Sequence, residues 1–199
     1  TLSKIPHLIS YKIPKKWSDW LVYQHKTPQD TSLKKAKKIS KKTGYELIIG
    51  NLIDTARYKY PFVKEYTLSE KGGKIAFTSS GEDAEFQSGV YVFDTQKQSI
   101  QSIYVSKGIF KSLKWDEAGQ HLSFVSDLDT TQSLNRYFNL HLWSIGDDTA
   151  ETILTARDEY LEKTYLVSEH SPLEISKNGS LLYFGKSLPV LQADTFLLE

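Results

Sequence analysis

The residue types that could carry chemistry are few in this chain and widely spaced. No Gly-x-Ser-x-Gly elbow is present, so a serine hydrolase nucleophile has no seat here. No His-Glu-x-x-His is present to hold a catalytic zinc. With no cysteine, a thiol nucleophile, a disulfide framework and a Cys-ligated metal are all excluded. The histidines are His7, His25, His121, His141 and His170. His121 and His141 fall on neighbouring strands, where a metal pair is conceivable; half-buried strand histidines are the favoured reading. Gly72-Gly73-Lys74 has the ending of a phosphate loop, but Leu68 stands where its first glycine belongs and the segment reads as a β-hairpin. Asp127-Leu-Asp129 with Thr130 and Thr131 opens like a calcium loop and lacks the downstream Gly and bidentate Glu. A loop turned by Asx hydrogen bonds is expected instead. The acidic group Glu82, Asp83 and Glu85 could meet a substrate amine, against the plainer reading of a solvated loop. Asn178-Gly-Ser180 is a glycosylation sequon lying in a tight turn, where Asn-Gly is expected anyway. These readings leave no catalytic, cofactor-binding or metal residue to assign.

Charge adds one feature. Leu33–Lys42 holds six of the chain's lysines, and removing them takes the net charge from +1 to −5. A nucleic-acid arm or a membrane patch would use such a run. It has no interleaved aromatics and no Arg, so a solvated insertion over residues 26–44 is expected, and no nucleic-acid partner. No apolar run approaches the roughly 18 residues needed to span a bilayer. The start at Thr1 and the absence of Met read as an excised piece of something longer.

The elements that position these residues repeat. Leu68-Ser-Glu-Lys-Gly72-Gly-Lys-Ile75-Ala-Phe77, Trp115-Asp-Glu-Ala-Gly119-Gln-His-Leu122-Ser-Phe124 and Ile175-Ser-Lys-Asn-Gly179-Ser-Leu-Leu182-Tyr-Phe184 align without a gap. Each reads as a strand, a turn needing positive φ at Gly72, Gly119 or Gly179, and a second strand. Trp17-Ser-Asp-Trp20-Leu-Val-Tyr23 reads as a degraded first copy or as chance. The glycines are 47 and then 60 residues apart. Further strands are expected at 45–49, 57–63 (an edge strand at best, given Pro61), 89–94, 99–105, 138–143 and 151–154, with a polar loop at 80–88. Four strands per period of this length predict an all-β β-propeller, with blades of four-stranded antiparallel sheet. The expected blades are 8–64, 65–111, 112–171 and an incomplete 172–199. That is about three and a half blades, an incomplete ring in a single partial propeller domain. Leu68, Ile75, Phe77, Trp115, Leu122, Phe124, Ile175, Leu182 and Phe184 are expected to form the inter-blade core. The faces left open are expected to be covered by further blades of a longer parent or by a second copy of the chain.

The blade pattern Ser176-Lys-Asn-Gly-Ser-Leu-Leu-Tyr-Phe184 resembles that of TolB-like and prolyl-oligopeptidase-type propellers. The order of segments is similar to the N-terminal propeller of bacterial serine peptidases of the prolyl oligopeptidase family, of the kind found in Bacteroidetes. The likeness lies in the Lys-rich insertion before Tyr45-Glu-Leu-Ile-Ile-Gly-Asn-Leu52, in Gly89-Val-Tyr-Val-Phe-Asp94, in Asn139-Leu-His-Leu-Trp143, and in Leu182-Tyr-Phe-Gly185 through Ala193-Asp-Thr195. The resemblance implies a non-catalytic domain that sits over an α/β-hydrolase domain, filters peptides by size and is open to contact with the substrate's N-terminus. It implies a periplasmic or secreted parent, with the hydrolase domain and its peptide substrate as partners. The catalytic triad belongs to that other domain, and no triad motif matches here. Arg157-Asp-Glu159-Tyr-Leu-Glu162 matches the helical acidic motif of dipeptidyl peptidases too loosely to inherit its role. Two other classes stay open: a TolB or WD-repeat scaffold that binds a protein partner, and a propeller enzyme such as a glycosidase.

Overall fold

The computed structural model describes residues 4–17, 19–26, 44–82, 86–129, 131, 135–161 and 165–190. The Lys-rich run, and Asp83 and Glu85 of the acidic group, lie outside them. Every regular element among the described residues is a β-strand, and every pairing is antiparallel.

The first blade is β1 (Leu8–Lys12), β2 (Trp20–His25), β3 (Tyr45–Asn51) and the start of β4 (Arg57–Leu68), paired in that order. The rest of β4 pairs with β5 (Lys74–Glu82), followed by β6 (Gln87–Asp94) and β7 (Ser99–Val105), to give the second blade. The third is β8 (Ile109–Trp115), β9 (His121–Asp127), β10 (Asn139–Ser144) and β11 (Glu151–Leu154). Of a fourth, one split hairpin is described. β12 (Leu166–Val167) pairs with β15 (Lys186–Ser187), and β13 (Glu174–Ile175) with β14 (Leu182–Tyr183).

Pro61 lies in the half of β4 that closes the first blade as its edge strand: residues 57–63 pair with β3 and residues 63–68 with β5, and the two ladders share Val63 alone. Its pairing with β3 shifts register between Tyr60 and Val63, and a proline at such a bulge removes no ladder bond. The expected loop at 80–88 is also shorter, because β5 and β6 extend until Glu82 pairs with Gln87. The third blade begins at Ile109 rather than 112, and the fourth at Leu166 rather than 172. In each case the first strand continues N-terminally past a bulge, and the bulge breaks the alternation that sequence reading relies on.

Alternation along the second strand of each hairpin divides the core between its neighbours. Ile75 and Phe77 face the first blade, where they meet Trp20, Val22, Leu47, Ile49 and Tyr60. Ala76 faces the other way. It joins Val90, Val92 and Ile103 against Phe110, Trp115, Leu122, Phe124 and Trp143 of the third blade. Val125 and Leu140 then face the fourth, meeting Val167 and Leu173, with Leu182 and Phe184 partly buried beside them. Leu68 is partly buried against the first cluster, and Ile175 is buried.

Candidate functional site

The three hairpin turns share one wiring. Ser69 Oγ accepts from the N–H of Lys74 at 2.9 Å, Asp116 Oδ1 from His121 at 3.0 Å and Ser176 Oγ from Leu181 at 2.9 Å. The same short polar residue, placed after the last apolar one, closes a turn whose glycine has φ +82°, +72° or +73°. The turns also stack. A Cβ built on Gly119 would lie 2.4 Å from the carbonyl oxygen of Lys71, and one on Gly179 2.8 Å from the His121 ring. Ion pairs cross from turn to turn: Lys16 to Glu70 at 2.7 Å and Lys71 to Glu117 at 2.9 Å. These bonds hold the Glu70 and Glu117 carboxyls below their usual pKa. The pairs are exposed, so they set alignment between blades more than stability.

The candidate functional surface is the row of first strands. β8 lies against both β4 and β13, so these strands gather along one side of the stack. Each has a bulge where the register shifts: Lys64–Glu65 in β4, Ser112–Leu113 in β8 and the segment from Ser168 to Leu173 between β12 and β13. Charged side chains beside these bulges, and Lys12 at the end of β1, reach across blade boundaries. Lys12 Nζ donates to the Tyr66 carbonyl at 2.8 Å and lies 4.7 Å from the Tyr66 ring centroid. Desolvation lowers the Lys12 pKa, opposed by the charge of Glu65. The protein around Glu65 raises its carboxyl pKa by desolvation, against bonds from the Leu113 and Ser112 N–H groups and the charges of Lys111 and Lys12. Lys111 pairs with Glu169, and Lys114 pairs with Glu174 at 3.0 Å. The wall therefore alternates Lys, Glu, Lys, Glu across successive blades. Glu65, Lys111 and Glu169 escaped sequence reading, which was fitted to the apolar residues after the bulge. The available signal was a Lys eight residues before the turn glycine in two copies, Lys64 and Lys111.

His121 and His141 do not come together as a site. His121 Nδ1 bonds Ser144 Oγ at 3.0 Å. His141 is fully buried and stacks on Phe124 with ring centroids 4.7 Å apart. Its Nε2 meets Ser126 Oγ at 2.7 Å and its Nδ1 meets Thr152 Oγ1 at 3.1 Å. Burial pushes its pKa down to about 4. The unfolded imidazole titrates near 6.5, so the folded state binds fewer protons below that pH. The contribution of His141 to stability should be constant above about pH 6.5 and fall by about 3 kcal/mol as pH drops to about 4. Urea titrations of wild type and His141→Gln should diverge by that amount over that window. Parallel pH curves would refute this origin of the acid sensitivity.

The calcium-like loop is filled by a side chain. Asp129 N–H donates to Asp127 Oδ1 at 2.9 Å, and Thr131 N–H to Asp129 Oδ1 at 2.8 Å. Arg136 Nη1 donates to Asp127 Oδ2 at 3.1 Å and to the carbonyls of Asp129 and Thr131 at 3.3 and 3.2 Å. The guanidinium stands where a bound cation would, against a carboxylate with no exposed surface. Arg136→Ala should cost about 2 kcal/mol in a urea titration, because it strands a buried charge. Adding Asp127→Asn should recover part of that loss. Among the described residues no group of three or more His, Asp or Glu side chains is placed to hold a metal. No helix among them is long and apolar enough to cross a membrane.

No family model and no curated protein matches this chain. Solved structures do. The acylaminoacyl peptidase of Pyrococcus horikoshii is similar at 15% identity and TM-score 0.46, over 74% of this chain and 24% of that one. A prolyl endopeptidase is similar at 14% identity and TM-score 0.48, over 90% and 26%. The β-propeller domain of the trilobed protease from Pyrococcus furiosus is similar at 14% identity and TM-score 0.40, over 91% and 68%. The chain thus spans about a quarter of the length of the first two. At these identities and TM-scores the likeness assigns this chain no role; its stacked antiparallel sheets are read from its own strand pairing.

Proposed function

We propose that this chain is a non-catalytic propeller segment of a serine peptidase, gating or docking peptides for a hydrolase domain elsewhere in the same polypeptide. The observation that carries the reading is the wall of first strands. Its charges are paired across blade boundaries, while the apolar side chains lie between blades. A wall built this way stays wetted and rigid, as a passage for peptides requires. The sequence resemblance described above points in the same direction. Under this reading the first and last blades are completed by the rest of that polypeptide or by a second copy of the chain, and the parent works in the periplasm or outside the cell.

The test is cleavage by the full-length polypeptide. The isolated chain should leave a chromogenic dipeptide intact. The full polypeptide should hydrolyse short peptides and spare folded proteins. A reading frame that ends after a few more blades without a Gly-x-Ser-x-Gly would overturn the proposal and favour a scaffold that binds a protein partner.

A further inference from the structure

Seven residues before the turn glycine, the second blade has Glu65 and the third has Ser112. The difference has a structural counterpart. At the junction of these two blades the Glu65 carboxylate occupies the seat at the β8 bulge, bonded by the Ser112 and Leu113 N–H groups and close to Lys111. At the next junction Ser112 supplies no carboxylate. The fourth blade's bulge is also longer: Val167 and Glu174 pair with Lys186 and Tyr183, so seven steps on one strand face three on the other. A cleft of about 300 Å³ opens there, between Ser112–Lys114 and the segment from Glu169 to Leu173.

The chemistry of its lining is specific. Lys111 is committed to Glu169, which neutralises that carboxylate. Lys114 is held by Glu174 in a pair whose side chains are 40% and 57% exposed, so its ammonium exchanges partners at little cost. His170 is exposed on the rim. Leu113 and Pro172 supply apolar surface beside these groups, above the buried Leu173.

We propose that this cleft binds an acidic residue of an extended peptide, with its carboxylate at Lys114 and His170 and a neighbouring apolar side chain on Leu113 and Pro172. The inference does not depend on peptidase activity.

The test is an amide NMR titration of the chain with acetyl-Leu-Glu-amide and, separately, acetyl-Leu-Gln-amide. The acidic peptide should shift the Ser112, Leu113 and His170 signals saturably, with a dissociation constant of about 1 mM. The neutral one should bind roughly tenfold more weakly, having lost the charge-assisted bond. Lys114→Gln should weaken the acidic peptide by a similar factor. Ser112→Glu, which restores the tethered carboxylate of the second blade, should compete with it. The same spectra report whether each variant is folded. Equal shifts from the two peptides, or undiminished binding by folded Lys114→Gln, would overturn the proposal.

Discussion

Phe124→Ala should destabilise the fold by about 4 kcal/mol, the usual range for emptying a large aromatic site in a core. Phe124 is fully buried and belongs to the cluster that joins the second and third blades. Its ring stacks on His141 within its own blade and meets Tyr104 of the preceding blade edge-on, with centroids 5.9 Å apart. The site cannot collapse easily, because its walls are strands of two different sheets, each fixed by its own ladder. Loss of the ring also removes the flat surface that seats the buried imidazole. Urea titration should show a lower midpoint with an unchanged slope. Phe124→Leu keeps most of the volume and should cost about 1 kcal/mol. Equal losses for the two variants would mean that the interface tolerates a void there.

Gly119→Ala should cost about 3 kcal/mol, from two separable causes. The φ of +72° alone costs an alanine about 1 kcal/mol. The remainder comes from crowding: the new Cβ would lie 2.4 Å from the Lys71 carbonyl oxygen and 2.9 Å from Ser69 Cβ, both on the turn of the preceding blade. Neither can move without shifting that turn. Gly146→Ala is the internal control. It also has positive φ, +101°, but nothing lies within 4 Å of the added carbon. Thermal or urea unfolding should rank Gly119→Ala well below Gly146→Ala. Equal effects would leave backbone conformation as the whole cause and remove close approach from the explanation.

Much of the repeating hairpin was legible because two physical requirements fall on fixed residues. The turn needs a glycine, and the following strand must send alternate side chains to two different blades. Ile75 and Phe77 against Ala76, or Leu122 and Phe124 against Val125, carry that division openly in the sequence. The first blade was only half legible. Its turn lacks a glycine, and Trp17 ties it down from outside by donating its indole N–H to the Ser69 carbonyl at 3.1 Å. The bulges were not legible at all. An extra residue in a strand shifts the alternation by one and looks like a loop or a strand end. Pro61 was read as an edge marker, and it does lie where β4 pairs with β3 alone; the register shift beside it was not foreseen. The candidate wall was missed for the same reason, since Glu65 and Ser112 are themselves bulge residues. Arg136 was missed differently: a cation seven residues beyond Asp129 is not where a motif for a metal loop would look.

β4 passes from one blade to the next without a break: its first half closes the first blade against β3, its second half opens the second against β5, and the two ladders meet at Val63. Blades are usually pictured as separate plates held together by their faces. Here the first two are also joined by one continuous strand, and a single buried cluster, with Trp20, Val22, Leu47 and Ile49 on one side and Ile75, Phe77 and Phe93 on the other, spans both. Native-state amide exchange should therefore show β2 to β6 protected as one cooperative unit with a common opening free energy. The described half-blade, held by two ladders of two residue pairs each, should exchange earlier and independently. A molecule assembled from repeats would then unfold along a boundary that its repeat period does not mark.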